Sequence, residues 1–355
     1  MKKVFELPLS REYVRHWGLA EAVRELIQNA LDSDSPFEYE FLGDQLFIKS
    51  RHARLEPRSL LLGSTTKAER TDSIGSFGEG YKIALLVLTR LGYPCLVHNN
   101  ELLWRPEFRR SRQYDSEVLC VTQEKAERRR EGLTFEVAGL TPDDIAEIRE
   151  SCLHMQNHLG EVKRVQRGRI LLERPGRLYV GGLFICETDL EFGYDVHPEF
   201  ITLERDRQTV SSFDLKLLTR DMWFSTEDYD RVAELIEGET PDVEYAEFGA
   251  PELVKEACYQ RFQRQHPGSV AAKSQKELEQ LVDRGLTRTV VVNSTYHSCL
   301  TGSRSYQEAQ GQLVRVPTPV EQLQGFFDRN RGLMRRKAIV EFKALLKAAE
   351  QWRNK

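Results

Sequence analysis

The sequence predicts an α+β protein, and three observations carry that reading. Short runs rich in β-branched and aromatic residues alternate with segments of helical period through the first half of the chain. Beyond Trp223 the pattern turns mostly helical, with one clear strand from Arg288 to Val292. Of the 355 residues 40% are hydrophobic and 30% charged, the balance of a globular chain that buries ordinary cores.

Taken in order, Lys3 to Leu7 reads as a short strand. Ser10 is a candidate N-cap for a helix that ends near Trp17-Gly18. A second helix is expected from Leu19 to Ser33, because Ala22, Val23, Leu26 and Ala30 keep helical spacing, and Asp34-Ser-Pro36 ends it. Phe37 to Phe41 and Leu46 to Lys49 read as strands joined at Gly43-Asp44. Residues 62–77 are small and polar without periodicity, which predicts a loop. Helix resumes at Gly80 and runs to about Leu91, where Gly92-Tyr-Pro94 stops it. Strands follow at Pro94 to His98, Glu117 to Thr122 and Gly132 to Val137. Thr141 then caps a helix that opens Pro142-Asp-Asp. Arg169 to Leu172 and Arg177 to Cys186 are expected to form a hairpin around Pro175-Gly176. A domain break falls near residues 160–168, dividing the chain into 1–165 and 166–355.

The net charge of −4 excludes a uniformly basic nucleic-acid binder, but the last segment is rich in Arg and Lys from Arg329 to Lys355. It reads as a solvated amphipathic helix docked on its own domain or as a nucleic-acid contact. The six cysteines are scattered, with no C-x-x-C pair, which fits reduced thiols and a cytoplasmic location. The N-terminal stretch has no apolar core of a signal peptide, and no run approaches the ~20 apolar residues of a membrane span. No membrane partner is expected. His154 and His158, with Cys152 nearby, have helical spacing for a metal, yet no fourth ligand accompanies them, so a surface or packing role is the simpler reading.

Two stretches carry chemistry. In Glu25-Leu-Ile-Gln-Asn29-Ala-Leu-Asp32, Glu25 and Asn29 are four apart and share a helix face, with Asp32 close to one turn beyond Asn29. Hydrolysis of a phosphoanhydride needs an acceptor for the proton of an attacking water and a hard cation on the phosphates. Glu25 suits the first task, and the side-chain oxygen of Asn29 suits Mg2+. The same spacing also occurs on ordinary solvated helices. The second stretch, Gly75-Ser-Phe77-Gly78-Glu79-Gly80-Tyr81-Lys82, is a glycine-spaced turn running into an apolar helix. Glycines let backbone N–H groups approach phosphate, and the helix N-terminus adds partial positive charge. A purely structural glycine loop has the same look. It is neither the dinucleotide G-x-G-x-x-G pattern nor a P-loop.

Together the two stretches resemble the GHKL ATPases, the superfamily of gyrase B, the heat-shock-ninety chaperone, histidine kinases and MutL. Arg24 to Asp32 is similar to the family's N-box, and Gly75 to Tyr81 to its second glycine box. Leu62-Gly-Ser-Thr-Thr-Lys67 resembles the segment before the ATP lid. Gly132-Leu-Thr-Phe-Glu-Val137 resembles the late G-T strand, with Thr134 near the base. Leu178 to Ile185 followed by Ile201 to Asp206 is similar to the chaperone's middle segment, where Arg205, or failing it Arg207, would reach the terminal phosphate. The resemblance covers roughly residues 10–215. It implies a Bergerat fold, a two-layer sandwich of mostly antiparallel sheet with helices on one face, followed by an α/β and helical transducer-like region. It further implies ATP as substrate, Mg2+ held by Asn29, catalysis by Glu25 and Arg205, and nucleotide contacts from Asn29, Asp32, Ser50, Lys67, Gly75, Phe77, Gly78, Glu79, Gly80, Tyr81 and Thr134; Lys82, one residue into the helix, fits a phosphate contact and a solvated position equally. A nucleotide-dependent homodimer acting on a protein or nucleic-acid partner belongs to the same expectation. The short glycine-box wording also resembles rIIA-like ATP-binding proteins of phages and bacteria.

One departure matters. Where the family places its adenine-binding aspartate, this chain has Ser50-Arg-His-Ala-Arg54. Ser50 is shorter and reaches a base only through water. The residues therefore leave three readings open: a hydrolysing switch, a regulatory nucleotide-binding module with little turnover, and a DNA-handling protein of topoisomerase or mismatch-repair type.

Overall fold

A computed structural model describes residues 2–32, 36–60, 80–203, 210–286, 288–310 and 319–353. The chain divides into two compact units, Met1–Leu215 and Lys216–Lys355. The break expected at 165/166 falls between two strands that pair with each other, described below.

The first unit opens with β1 (Lys3–Ser10), α1 (Leu19–Leu31), β2 (Glu38–Leu42) and β3 (Gln45–Ser50). It continues with α2 (Gly80–Leu91), β4 (Cys95–Asn99), β5 (Leu102–Ser111), β6 (Ser116–Lys125), β7 (Leu133–Val137) and α3 (Pro142–Glu150). The strands form one seven-stranded antiparallel sheet in the order β1-β6-β5-β4-β7-β3-β2. The alternation of its strands sends Leu46, Ile48, Val97, Trp104, Val121, Phe135 and Val137 to the face that α1 and α2 cover. The other face carries ion pairs, among them Lys49–Glu40 at 2.6 Å, Arg105–Glu124 at 2.9 Å and His98–Glu136 at 2.7 Å.

α1 starts where Gly18 N–H donates to Glu21 Oε2 at 2.8 Å. It is buried along most of its length, from Leu19 to Ala30, because it packs on α2, β3 and α3 at once. α2 is apolar nearly all round and buried from Gly80 to Leu88, the mark of a helix inside a core. Thr141 caps α3 as expected, with Asp144 N–H on its hydroxyl and Asp144 Oδ2 on its own N–H.

The expected helix from Ser10 to Trp17 does not form; residues 11–16 are turns. Arg90 on α2 explains it. Its guanidinium donates to the carbonyls of Arg11, Tyr13, Val14 and Trp17, the groups a helix would have spent internally. Val14 also adopts a positive φ of 45°.

A second sheet completes the first unit: β8 (Val162–Val165), β9 (Gly168–Leu171), β10 (Arg177–Val180), β11 (Leu183–Glu187) and β12 (Gly193–Val196), ordered β11-β10-β12-β9-β8. The 165/166 position is the tight connection between β8 and β9, which pair antiparallel. β10 and β12 run parallel; the other neighbours are antiparallel. The hairpin expected around Pro175-Gly176 is instead made by β10 and β11 around Gly181-Gly182, whose φ values of 57° and 82° are those a type I′ turn demands. β9 pairs with β8 and β12, not with β10. The edge strand β11 is stitched to the end of α3, with Phe184 N–H on Ser151 O and Leu153 N–H on Gly182 O, both at 2.8 Å. Cys152, His154 and His158 therefore do not share a helix. His154 is exposed, with Nε2 2.9 Å from Gly181 O.

The second unit is mostly helical, as its pattern predicts. α4 (Ser212–Phe224) leads into it, followed by α5 (Tyr229–Glu237), α6 (Glu252–Gln265), β13 (Val270–Ala272), α7 (Gln275–Asp283), β14 (Thr289–Val291), α8 (Ser294–Thr301) and α9 (Arg304–Gln310). β13 and β14 run parallel, with α7 between them in sequence. Val232, Ile236, Cys258, Phe262, Tyr296 and Leu300 are buried here. α10 (Pro319–Asn330) and α11 (Arg336–Arg353) close the unit as a helical hairpin. The basic terminal helix thus has a helical partner, α10. Among the described residues no helix is long and apolar enough to cross a membrane.

Candidate functional site

α1 delivers Glu25 and Asn29 one turn apart. Glu25 is fully buried. Its neighbour Arg24, also buried, sets Nη2 3.7 Å from Glu25 Oε1 and donates Nη1 to Phe184 O at 3.3 Å. The same guanidinium lies 5.7 Å from the Trp17 ring centroid. Asn29 Nδ2 donates to Glu25 O at 2.7 Å. With the amide nitrogen held by the helix, Oδ1 is the acceptor that the side chain keeps. Asn29 is only partly buried. Asp32 is the C-cap residue of α1.

Ser50 ends β3 on the helix-bearing face, continuing the row of Leu46 and Ile48, and is buried. Its cross-strand partner on β7 is Leu133, and the partner of Leu133 on β4 is Asn99. Thr134 pairs with Lys49 and His98 and so lies on the opposite face, with Glu136. The structure therefore does not bring Thr134 to the side of Ser50 and α1. The period of two in a strand makes the offset of one residue decisive, and the position expected for Thr134 is held by Leu133.

Gly132 fixes this register. Its φ is +76°, and an added Cβ would lie 2.4 Å from Arg51 O and 2.5 Å from Ser50 O. Only glycine lets the two backbones meet so closely. Asn99 was not foreseen. Its amide accepts from Leu55 N–H at 3.3 Å and donates to Leu55 O at 2.7 Å, pinning the segment after Ser50 to the sheet. The only sequence cue is a polar residue at a buried strand position.

At the start of α2, Gly80 is buried and Tyr81 has its hydroxyl on Ser59, 2.7 Å from the carbonyl and 2.8 Å from Oγ. Burial pushes the Tyr81 phenol up to about 12. Tyr81 thus ties α2 to the 3-10 turn Pro57–Leu60. Lys82 is fully buried in the first turn, its ammonium 5.7 Å from the Tyr81 ring centroid. Lys67, Gly75, Phe77, Gly78, Glu79, Arg205 and Arg207 lie outside the described residues.

α1, which carries Glu25 and Asn29, packs on α2 and on β3, the strand that ends at Ser50. A cleft of about 240 Å³ lies elsewhere, on the Arg24 side of α1, lined by Ala20, Glu21, Arg24, Ser151, Phe184 and Cys186. Among the described residues no three His, Cys, Asp or Glu side chains gather into a metal cage.

No family model matches the chain. It is similar to an uncharacterized protein of Mycoplasma pneumoniae, 22% identical over 213 residues that cover 55% of this chain and 86% of that protein. That likeness carries no functional assignment. The chemistry of the site rests on its own residues.

Proposed function

We propose that the first unit is a Mg2+-dependent ATP-binding and ATP-hydrolysing conformational switch of the GHKL type, built on a Bergerat sandwich. The observation that carries this reading is α1 itself, where a buried carboxylate, Glu25, and a partly buried carboxamide, Asn29, stand one turn apart. A seven-stranded antiparallel sheet with helices packed on one face supports the fold.

On this reading Asn29 Oδ1, with Asp32 nearby, holds the cation, and Mg2+ when bound offsets the phosphate charge. Glu25 accepts the proton of the attacking water. The first turn of α2, with Gly80 and Lys82, offers N–H donors and positive charge to the phosphates. Lys67, the glycine box Gly75–Gly80 with Phe77 and Glu79, and Arg205 would complete the phosphate contacts. Ser50 contributes a hydroxyl and Leu133 an apolar surface to the floor on which a base would lie. Nucleotide binding would then bias a two-state shape and a homodimer contact, with the second sheet in a transducer-like role.

A second reading has its own observation. On the resemblance, Ser50 takes the place of the adenine-binding aspartate, and Thr134 lies on the opposite face of the sheet; this favours a regulatory nucleotide-binding module with little turnover. Phosphate release and calorimetry with ATP, GTP and Mg2+ on wild type and Glu25→Gln separate the two. The switch requires release by wild type that falls at least ~100-fold in Glu25→Gln while nucleotide affinity is kept. Binding without release in wild type selects the regulatory module. Equal release by both proteins removes Glu25 from the chemistry.

A further inference from the structure

The turn of the α10–α11 hairpin has no part in the nucleotide reading. Phe327 stacks on Phe342 with ring centroids 5.4 Å apart and planes 11° apart, and Phe327 and Leu346 are buried. The hairpin therefore spends its aromatic seam internally. At the turn, charge is left outside. Between Arg329 and Lys337 five of nine residues are cations and none is acidic. Arg329, Arg331, Arg335, Arg336 and Lys337 are all exposed, and among the described residues no carboxylate lies within ion-pair distance of any of them. Other arginines of the protein are treated differently: Arg105, Arg177, Arg220 and Arg261 each rest on an acid within 3 Å. Helix stability does not account for the cluster. Arg336 and Lys337 begin α11, whose first turn holds no acid, and cations there oppose the helix dipole.

We propose that this turn is a docking surface for the phosphodiester backbone of a nucleic acid. Four of the five cations are arginines, whose planar forks match phosphate oxygens better than a lysine point charge. Arg335 enters α11 and Arg336 and Lys337 open it, so the three consecutive cations do not line one flat helix face. Leu333, 87% exposed, stands alone among the cations. The exposed Leu323, Phe326, Val340 and Leu345 lie along the stem of the hairpin, so the turn lacks the broad apolar face that seats a helix in a bilayer.

Five neutralised phosphates give a slope of log affinity against log salt near −4.5 on duplex DNA, so raising salt from about 50 to 200 mM weakens binding roughly 500-fold. The test uses the full-length protein and fluorescence anisotropy with a labelled ~20-base-pair duplex and, separately, a single strand of equal length. Co-sedimentation with phosphatidylserine vesicles runs beside it. A variant carrying Arg331→Glu, Arg335→Glu and Arg336→Glu is compared with the matching triple Gln variant, both checked by circular dichroism. The expected result is salt-steep binding by wild type and a slope about 2.7 shallower in the Gln variant, at 0.9 per cation. The better-bound probe tells duplex from single-strand recognition. No binding of either probe at low salt, an unchanged slope in both variants, or a loss confined to vesicles each overturns the proposal.

Discussion

Replacing Gly132 with alanine tests whether the floor of the site is held by the contact between β7 and the end of β3. Two costs add. At φ +76° an L side chain meets its own carbonyl, at about 1–2 kcal/mol. The new Cβ would also lie 2.4 and 2.5 Å from the Arg51 and Ser50 carbonyl oxygens, both backbone atoms, so the strands must part by more than half an ångström. Overpacking of that kind costs a further ~1–3 kcal/mol. The sum is about 2–5 kcal/mol, which in a unit of this size lowers Tm by roughly 4–20 °C. Gly43→Ala is the control. Gly43 has a similar φ of +63° but nothing within 4 Å of an added Cβ, so it carries only the first cost. Thermal unfolding followed by circular dichroism compares the two. Equal shifts in both variants would show that the Gly132 contact relaxes freely and that the register of Ser50 does not depend on it.

Thr134→Val is expected to leave nucleotide affinity within about twofold in calorimetry, because its side chain lies on the face away from Ser50; a tenfold loss would place it in the site after all. Tyr81 makes stability depend on alkaline pH. Its folded pKa is raised from 10 to about 12, so the protonated phenol is favoured by folding. The contribution is complete below pH 10 and is lost as pH rises through 12. Denaturant titrations at pH 9 and 11.5 are expected to show wild type losing about 1–2 kcal/mol more than Tyr81→Phe over that interval. Parallel losses in the two proteins would refute the assignment to Tyr81.

Much of the first unit is legible in the sequence because its signals are local. The spacing of Ala22, Val23, Leu26 and Ala30 places α1, and Thr141-Pro142 starts α3. The failures have tertiary causes. The segment after Ser10 carries a cap but loses its helix to Arg90, some 75 residues away. β5 goes unseen because Arg105, Pro106, Arg109 and Arg110 do not read as strand. Pro106 lies past Trp104, where the pairing of β5 with β4 ends, and stays in register with Val121 on β6. That Glu25 and Asn29 share one helix face is legible from their spacing. Leu133 in place of Thr134 is not, because the choice between adjacent residues depends on the pairing register that Gly132 sets.

Arg24 gives α1 a consequence of its own. Along one rigid rod, Asn29 and the arginine that grips the Phe184 carbonyl are five residues, or about 7.5 Å, apart. The rod is buried along most of its length, so it has little free surface on which to slide unnoticed. On the proposed reading, a ligand that pulls on Asn29 would pull on the same helix that Arg24 ties to Phe184 of β11.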